Sequence, residues 1–436
     1  MRYISTTGKY TTDLRGAITN CFSADGSLYL PERISPIPRA LFNNVEEMSL
    51  KEISYIVAAQ LFGEDIDHAI LKRVVDESFV YNVPFVSYDS KTEIMELFHG
   101  PTGAFKDFSA QFTANFVKDA APKTIPRVAI MATTGNTGEA IAHAFAGDEG
   151  RHVVVLYPKG VVTASQIERF NALGPKVHCI EVAGDIAKCK AIVRQAMADE
   201  SLSGRIRLVC MNTANFVRIV PQVVLFFYAY AHLKATHRKA SDFSPVIPCG
   251  NLSSLVSAVI AKRLGLPIGK IVAGCSANDG LVKVLSGELS PAEINRSSHT
   301  TLARAMDSGY PTNLGRILKL YDDDIKRACN DIAAYSLSDD EIRATIRSTA
   351  ERGYLADPHT AVAIGTLEKA RADGLKSLSV VLATAHPSKS EKAVRGILAG
   401  DDVSASRHHS PHSSAIHNLP PSYSALKRYL TTKVIR

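Results

Sequence analysis

The sequence predicts an α/β protein with two α/β domains, parallel-type sheets and a helical N-terminal cap. Three observations lead to this fold class. From residue 127 onward, short β-branched runs alternate with longer helical patterns, which is typical of βαβ units. Glycine-bearing loops join several of these runs to the helices that follow them. The chain has 436 residues, 46% hydrophobic and 21% charged, which is enough for two or three domains with large buried cores.

The elements follow one another in a regular order. The first 90 or so residues are predicted to be mainly helical. Beyond them the predicted strands are Arg127–Met131, His152–Leu156, Lys176–Val182, Arg205–Met211, Pro245–Pro248, Lys270–Cys275 and Leu378–Ala383. The predicted helices between them are Glu139–Phe145, Asp185–Ala198, Phe216–Leu233 and Leu255–Leu264. Ligands bind beyond the carboxyl ends of parallel strands, so the loops after these strands are the candidate functional sites.

Composition and charge exclude several classes of function. The most apolar segment, 216–233, contains Arg218, Pro221 and Gln222, which favours a buried helix over a membrane span. The net charge is +7, but five basic residues and no acidic ones lie in the last 34 residues. The body of the chain is therefore close to neutral and has no continuous nucleic-acid footprint. We expect neither a nucleic-acid nor a membrane partner.

The cysteines and both ends of the chain predict a cytoplasmic protein without a metal site. The seven cysteines are scattered and form no CxxC, which argues against a disulfide framework or a zinc site. The opening MRYISTTGKY has no apolar signal core. Four histidines occur between Ser404 and Pro421, but their spacing matches no ligand motif. The Ser, His and Pro content of that stretch predicts a flexible surface segment.

The first candidate loop is His99–Phe108. Phenylalanines at 105, 108, 112 and 116 recur at helical spacing, which predicts a helix that begins near Gly103 and buries this face. Lys106 falls in its first turn, where the positive helix end and the apolar neighbours should lower its pKa. A partly neutral amine is what Schiff-base chemistry requires. From this loop alone, an ordinary surface lysine is an equally good interpretation.

Three further loops follow predicted strands. In Thr133–Gly138, backbone amides, threonine hydroxyls and the Asn136 amide suit a carboxylate or phosphate, and an ordinary strand-to-helix turn is the alternative. In Pro248–Ser254, two serines either cap the next helix or hold a phosphate together with the flanking amides. Ala383–Pro387 ends an apolar strand and by itself indicates no particular chemistry.

Taken together, these loops resemble those of the threonine synthases, fold-type-II pyridoxal-phosphate enzymes with a tryptophan synthase β-like fold. The resemblance covers nearly the whole chain. It rests on the opening MRYIST, DGSLYLP at 25–31, LFHGPTGAFKDF at 97–108, ATTGNTGEA at 132–140, YPKG at 157–160, AMDSGYPTNLGR at 305–316, ADPHTAVAIG at 356–365 and ATAHPSK at 383–389. It implies a pyridoxal 5′-phosphate cofactor and a small amino-acid phosphate ester as substrate. The implied reaction turns O-phospho-L-homoserine and water into L-threonine and phosphate, by γ-elimination and then β-addition of water.

The resemblance also implies roles for individual residues. Lys106 is the expected catalytic residue, which holds the cofactor as a Schiff base and shuttles protons. Thr384 is expected to hydrogen-bond to the pyridine nitrogen. The other implied cofactor-binding residues are Asn136, Gly250, Asn251, Leu252, Ser253 and Ser254. The implied substrate-binding residues are Thr134, Gly135 and Thr137 at the carboxylate, and Ser165, Asn215 and Arg218 at the distal phosphate. A role in helix packing is the alternative for Arg218.

The expected domain boundaries combine the resemblance with the element pattern. We expect an N-terminal helical cap at 1–92 and a small α/β domain at 126–220. The small domain is expected to be inserted into a large cofactor-binding α/β domain at 93–125 and 221–436. The protein is expected to be a monomer or a homodimer.

Two motifs depart from the family pattern and leave alternatives open. The cofactor-phosphate loop, often SGNFGN, is CGNLSS here, and the missing glycine removes conformational freedom near the anion. The asparagine loop, often SGDTG, is TGNTG. A phospho-lyase that releases 2-oxobutyrate, or an enzyme for another γ-substituted amino acid, is therefore an alternative. A non-catalytic ligand-binding relative is a second alternative, and the presence of Lys106 argues against it.

Overall fold

Helices and parallel strands alternate along most of the chain in the computed structural model. The structure describes residues 1–118, 127–133, 135–145, 151–162, 164–203, 205–237, 241–294, 297–401, 403 and 416–434. The strands are β1 Tyr3–Ser5, β2 Thr11–Thr12, β3 Tyr29–Pro31, β4 Phe85–Asp89, β5 Thr92–Glu96, β6 Arg127–Ala132, β7 Arg151–Pro158, β8 Val177–Val182, β9 Arg207–Cys210, β10 Ser244–Pro248, β11 Ile271–Cys275, β12 Ile332–Ser336, β13 Ser379–Ala383 and β14 Ile416–Leu419.

The α-helices vary from one turn to seventeen residues. They are α1 Leu14–Asn20, α2 Leu50–Phe62, α3 His68–Ser78, α4 Lys106–Lys118, α5 Asn136–Ala144, α6 Ala164–Ala172, α7 Ile186–Met197, α8 Glu200–Ser203, α9 Val220–Thr236, α10 Ser253–Arg263, α11 Gly280–Leu285, α12 Leu314–Leu320, α13 Ile325–Asp331, α14 Asp339–Glu351, α15 Pro358–Ala372, α16 Glu391–Ala399 and α17 Tyr423–Tyr429. Local sequence fixes several starts. Asp185 caps α7 by accepting from the Lys188 amide at 2.9 Å, and Asp357 caps α15, which Pro358 opens.

One of two compact units contains a six-stranded sheet. This first unit comprises Met1, 31–105 and 219–405. Its strand order is β12-β11-β10-β13-β5-β4, and all neighbours are parallel except β4, which runs antiparallel to β5. β11 and β13 are buried along their whole length, as expected for strands of a parallel sheet covered on both faces.

The second unit contains a five-stranded parallel sheet and comprises 2–30, 106–218 and 406–436. Its strand order is β14-β8-β7-β6-β9. One apolar cluster joins alternate residues of β6 and β7 to α7 and α17, with Val154, Ile192 and Leu430 among its members. The N-terminal segment adds α1, which packs against β9.

The predicted fold class is confirmed, and every strand and helix predicted from residue 127 onward is present within a few residues of its predicted bounds. The predicted buried helix at 216–233 is also confirmed. The segment Phe216–Thr236 is the one stretch of the described chain that is long and apolar enough to cross a membrane, and 89% of that apolar stretch is buried inside the protein.

The two units divide the chain differently from the predicted domain boundaries. The proposed cap at 1–92 is split: residues 2–30 belong to the second unit, where α1 packs against β9, and 31–92 belong to the first unit. The first 92 residues also contain four short strands and the first residue of a fifth, all of which the helical prediction missed. The helix predicted to begin near Gly103 begins at Lys106, because Gly103 has a φ of +65° and cannot continue a right-handed helix.

The predicted flexible tail is wrong over its described part. Residues 404–415 lie outside the described residues, but Ile416–Leu419 forms β14, which pairs with β8. The helix that follows buries Leu426, Tyr429 and Leu430 in the core of the second unit. This apolar face is the physical reason why the C-terminal segment folds onto the small sheet and not into the larger domain.

Candidate active site

Three loops of the first unit leave the same edge of the six-stranded sheet. β10, β13 and β5 are parallel neighbours, so the loops that follow them begin side by side. They are the loop 249–254, the segment that starts at Thr384, and the loop 97–105 that leads to Lys106. The Phe105 amide donates to the Thr384 carbonyl at 2.9 Å. Thr384 itself is buried, and the residue that precedes Lys106 is thus fixed to it.

The loop at 97–105 is fastened to the segment after β13 at two further points. The His386 amide donates to the Gly103 carbonyl at 2.9 Å, and the Lys389 ammonium donates to the Thr102 carbonyl at 2.7 Å. These bonds join two motifs that are far apart in the sequence, HGPTGAFK and ATAHPSK. Together they fix the approach of the chain to Lys106.

The loop after β10 has the form of an anion cradle. A Cβ at Gly250 would lie 2.7 Å from the Met306 Cα, so only glycine allows this close backbone approach. Leu252 has a φ of +66° and precedes α10 without a side-chain cap. The first amides of this eleven-residue helix therefore point away from it as hydrogen-bond donors, the arrangement that suits a phosphate.

The two serines of this loop do not cap the helix, which was one of the two sequence interpretations. The Ser253 and Ser254 hydroxyls both donate to the Gln222 side-chain oxygen, at 3.1 and 2.9 Å, and neither caps the helix. Ser253 has an ordinary helical backbone. The backbone at 253, where the family motif SGNFGN has a glycine, therefore needs no positive φ in this chain. The residue with the positive φ is Leu252.

Lys106 is the first residue of α4 in the second unit. Its side chain is half-buried, and desolvation together with the nearby Arg218 guanidinium lowers its pKa to about 7. The lowered pKa expected from the sequence is confirmed, with Arg218 in place of the helix end as the second cause. Arg218 is fully buried, and its guanidinium donates to the Met211 carbonyl.

Most of the other predicted site residues lie at the carboxyl edge of the five-stranded sheet. The loop after β6 leads through Gly135 to Asn136 and Thr137, the first residues of α5, whose N-terminus has no side-chain cap. Gly135 has a φ of +140°, and a Cβ there would lie 2.7 Å from the Gln166 amide nitrogen. Thr134 lies outside the described residues. Ser165 lies in α6.

The loop after the neighbouring strand β9 carries Asn215 and Arg218. Asn215 is fully buried, donates to the Cys210 carbonyl at 3.3 Å and accepts from the Val217 amide at 3.1 Å. These two bonds shape the turn that presents Arg218. α4 packs against this turn and against α5, and Arg218 lies near enough to Lys106 to lower its pKa.

Sequence reasoning missed several residues that hold these loops. Asn212 bridges the end of β6 by accepting from the Ala132 amide at 3.0 Å and donating to its carbonyl at 2.7 Å. The Thr133 hydroxyl accepts from the Gly135 and Gly138 amides at 3.0 and 3.2 Å. Gln222, Asn313 and Arg316 have similar roles in the first unit. The last two belong to the quoted 305–316 motif, but only the structure shows their partners.

Comparisons with known proteins agree with this geometry. Residues 94–385 match the family model described as pyridoxal-phosphate dependent enzyme, and residues 2–79 match the model for the threonine synthase N terminus. The chain is 31% identical to the threonine synthase of Serratia marcescens, over 95% of each chain. It is 35% identical to that of Haemophilus influenzae, over 88% of this chain and 87% of the relative.

Solved structures agree as well. The Escherichia coli threonine synthase superposes with a TM-score of 0.88 at 28% identity, covering 99% of each chain. A pyridoxal-phosphate-bound threonine synthase from Brucella melitensis superposes with a TM-score of 0.84 at 26% identity, covering 99% of this chain and 98% of that one. On these similarities and on the fold, the chain belongs to the threonine synthase family of fold-type-II pyridoxal-phosphate enzymes.

Proposed function

We propose that this protein converts O-phospho-L-homoserine and water to L-threonine and phosphate with pyridoxal phosphate as its cofactor. The observation that carries the proposal is the Lys106 amine, with its pKa lowered to about 7, in a chain 31% identical to a threonine synthase over 95% of its length. The departures in the CGNLSS loop do not weaken it, since the family's extra glycine falls on a residue in ordinary helical conformation.

The residues of the first unit fit the cofactor. The uncapped N-terminus of α10 offers amide donors for a phosphate, and Gly250 leaves room for the backbone to approach it. The Thr384 hydroxyl suits a ring nitrogen, because it can donate one hydrogen bond without adding a charge. Pyridoxal phosphate, when bound, supplies an aldehyde that condenses with amines and a ring that accepts electrons from the substrate.

Lys106 supplies the proton transfers. Its pKa, lowered to about 7, favours the free base near neutral pH, so the amine can take a proton from the α-carbon of the substrate and return it later. A threonine opposite the ring nitrogen, in place of a carboxylate, does not stabilise a protonated ring. More of the catalytic work therefore falls on the lysine.

The second unit provides donors for the two anionic ends of the substrate. The amides of Gly135, Asn136 and Thr137 at the start of α5 suit the carboxylate, with the helix dipole favouring a negative charge there. Arg218 suits the distal phosphate, because a guanidinium binds phosphate oxygens in pairs. We place Asn215 and Ser165 in the same subsite.

Product analysis in ¹⁸O-labelled water tests the proposal. Purified protein loaded with pyridoxal phosphate should release threonine and phosphate from O-phosphohomoserine in equal amounts. The label should enter the threonine hydroxyl, since water adds at the β-carbon after the C–O bond breaks. Label in the phosphate would indicate simple ester hydrolysis, and 2-oxobutyrate without threonine would indicate a phospho-lyase. Either result, or no turnover, contradicts the proposal.

We further propose that the protein works in the cytoplasm as a monomer or homodimer, with a small-molecule partner and no nucleic-acid or membrane partner. The support is the near-neutral body of the chain and the burial of its most apolar helix. Sedimentation velocity on the full chain, with cell fractionation, tests this. A larger assembly, or recovery in the membrane fraction, would contradict it.

A further inference from the structure

The segment 305–316 grips the loop that we propose for the cofactor phosphate. The Asn313 side-chain amide donates to the Asn251 backbone carbonyl at 3.0 Å and to its side-chain oxygen at 2.6 Å. The Asn313 backbone amide donates to the same carbonyl at 3.3 Å. The Met306 backbone closes against Gly250. The segment 305–316 therefore contacts the loop at two neighbouring residues, Gly250 and Asn251.

A buried arginine holds Asn313 in turn. Arg316 and Asn313 are both fully buried, and the Arg316 guanidinium donates to the Asn313 side-chain oxygen at 2.8 Å. A guanidinium can only donate, so the amide must present its oxygen to Arg316. Its NH₂ group is then left to face Asn251. The arginine therefore fixes which way round the asparagine amide sits, and with it the direction of the bonds to the loop.

We propose that Asn313 and Arg316 are positioning residues that hold the loop 250–254 in the conformation that accepts a phosphate. The inference rests on the proposed function of that loop. Leu252, next to Asn251, has a φ of +66°, a conformation that a leucine adopts only when its surroundings impose it. The three hydrogen bonds from Asn313 to Asn251, the residue before Leu252, help to impose this conformation. A loop that is already ordered loses little entropy when the anion binds.

The hydrogen bonds from Arg316 to Asn313 and from Asn313 to Asn251 predict which substitutions disturb the loop. Asn313→Ala removes both the donor to Asn251 and the acceptor for Arg316. Asn313→Asp has nearly the same shape and still accepts from Arg316, but it cannot donate to Asn251 and places negative charge against its oxygens. Arg316→Met removes the group that orients the amide, whereas Arg316→Lys keeps one donor.

The decisive measurement compares affinity for pyridoxal phosphate with affinity for pyridoxal. Both aldehydes react with the same lysine, so the ratio of their dissociation constants reports the phosphate loop alone. We expect Asn313→Asp and Arg316→Met to reduce the preference for pyridoxal phosphate over pyridoxal by roughly tenfold or more. The affinity for pyridoxal should stay within about twofold of the wild-type value. Arg316→Lys should retain most of the preference. ³¹P NMR of the bound cofactor should show a shifted or broadened resonance in the two impaired variants.

A matched control separates positioning from loss of stability. The Thr349 hydroxyl is buried and donates to the Thr345 carbonyl within its own helix α14. Thr349→Val therefore removes a buried hydrogen bond of the same unit without touching the loop, and should leave the ratio unchanged. If Asn313→Asp folds and keeps the wild-type ratio, the inference is overturned. If it loses affinity for both aldehydes equally, its role is merely structural and the inference is again overturned.

The same titration keeps this inference distinct from the proposed function. If the wild-type protein shows no preference for pyridoxal phosphate over pyridoxal, the loop is not a phosphate site and the proposed function itself is at fault. If the wild type prefers the phosphorylated form and the variants do so equally, only the positioning role of Asn313 and Arg316 fails.

Discussion

At the scale of single residues, a lowered lysine pKa is not enough to identify the reactive amine. Lys190 in α7 also has its pKa lowered, to about 8, by desolvation, with Asp185 acting in the opposite direction. Lys106 differs from it in position. It follows a residue bonded to Thr384, and it lies near a buried arginine at the carboxyl edge of a parallel sheet. Location and electrostatics together single it out.

Arg218→Gln should move the reaction of Lys106 with the cofactor to higher pH. After desolvation, the charge of Arg218 is the second cause of the low lysine pKa, so its removal raises that pKa. The neutral amine, which reacts with aldehydes, then forms only at higher pH. Cofactor binding followed by absorbance between pH 6 and 9 should show a midpoint displaced upward relative to the wild type.

Arg207→Gln is the matched control for this prediction, because Arg207 lies in β9 of the same unit and does not contribute to the Lys106 shift. The cofactor's own titration is the same for both variants, so a difference between their midpoints comes from the substitution in the protein. An unchanged midpoint in Arg218→Gln would show that the two side chains do not interact.

Gly250→Ala should damage the cofactor-phosphate loop. The added Cβ would meet the Met306 Cα at 2.7 Å, and backbone on both sides must shift to relieve the clash. Overpacking of this kind costs about 1–3 kcal/mol. We expect weaker binding of pyridoxal phosphate by titration and a lower midpoint of urea unfolding. Gly353→Ala, at a glycine outside this loop with a φ of +86° and nothing within 4 Å of the added Cβ, strains the backbone without a clash and should lower the urea midpoint without weakening cofactor binding. Equal cofactor affinity in Gly250→Ala and the wild type would exclude the proposed close approach.

The sequence already predicted part of this residue-scale detail. The spacing of the phenylalanines predicted that Phe105, Phe108, Phe112 and Phe116 are buried. The last three are buried, but Phe105, which precedes the helix, is only half-buried. The low pKa of Lys106 followed from its apolar neighbours. The contribution of Arg218 could not be predicted, because it depends on a contact between residues far apart in the chain. The same holds for the bonds that the loop serines donate to Gln222.

At the scale of elements, periodicity was sufficient for most strands that lie inside a parallel sheet, but β5, an internal and largely buried strand, was missed. β6, β7, β8, β10 and β13 are buried β-branched runs bounded by turn residues, and each was predicted within about two residues. β4 and β12 lie at the sheet's edges, alternate only weakly and were missed. β14 was missed because the composition of the stretch around it resembles a disordered segment, whereas its stability comes from pairing with β8.

The C-terminal helix is tied to the small sheet by a histidine that must stay neutral. The His178 ring bonds to the Tyr429 hydroxyl and to His152, both at 3.0 Å. Desolvation, aided by His152 and His417, lowers the His178 pKa from 6.5 to about 4. Between these two values the unfolded chain binds a proton that the folded protein does not. This group's contribution to stability is therefore present above pH 6.5 and is lost as the pH falls toward 4.

His178→Gln should accordingly flatten the loss of stability between pH 6.5 and 4, since glutamine keeps a polar partner for Tyr429 without titrating. Urea unfolding at a series of pH values, followed by circular dichroism, measures the slope. The control is His143→Gln, at an exposed position of α5 in the same unit. Parallel slopes for His178→Gln and the wild type would show that His178 does not carry the effect.

At the scale of the whole molecule, the sequence predicted the fold class and the family but not the division of the chain. Co-linear motifs identify the family because they occur in the same order along nearly the whole chain. Domain membership depends on which surfaces pack together. The N-terminal thirty residues and the C-terminal segment join the small sheet through apolar faces, which no local pattern reveals.

The measurement that tests the account most directly is borohydride reduction of the protein with pyridoxal phosphate, followed by peptide mapping. One pyridoxyl group per chain should be found, on the peptide that contains Lys106. Lys190→Ala, which removes the other lysine with a lowered pKa in this unit, should keep the label, and Lys106→Ala should lose it. A label on any other lysine, or no label at all, would contradict the central claim that Lys106 is the residue that carries the cofactor.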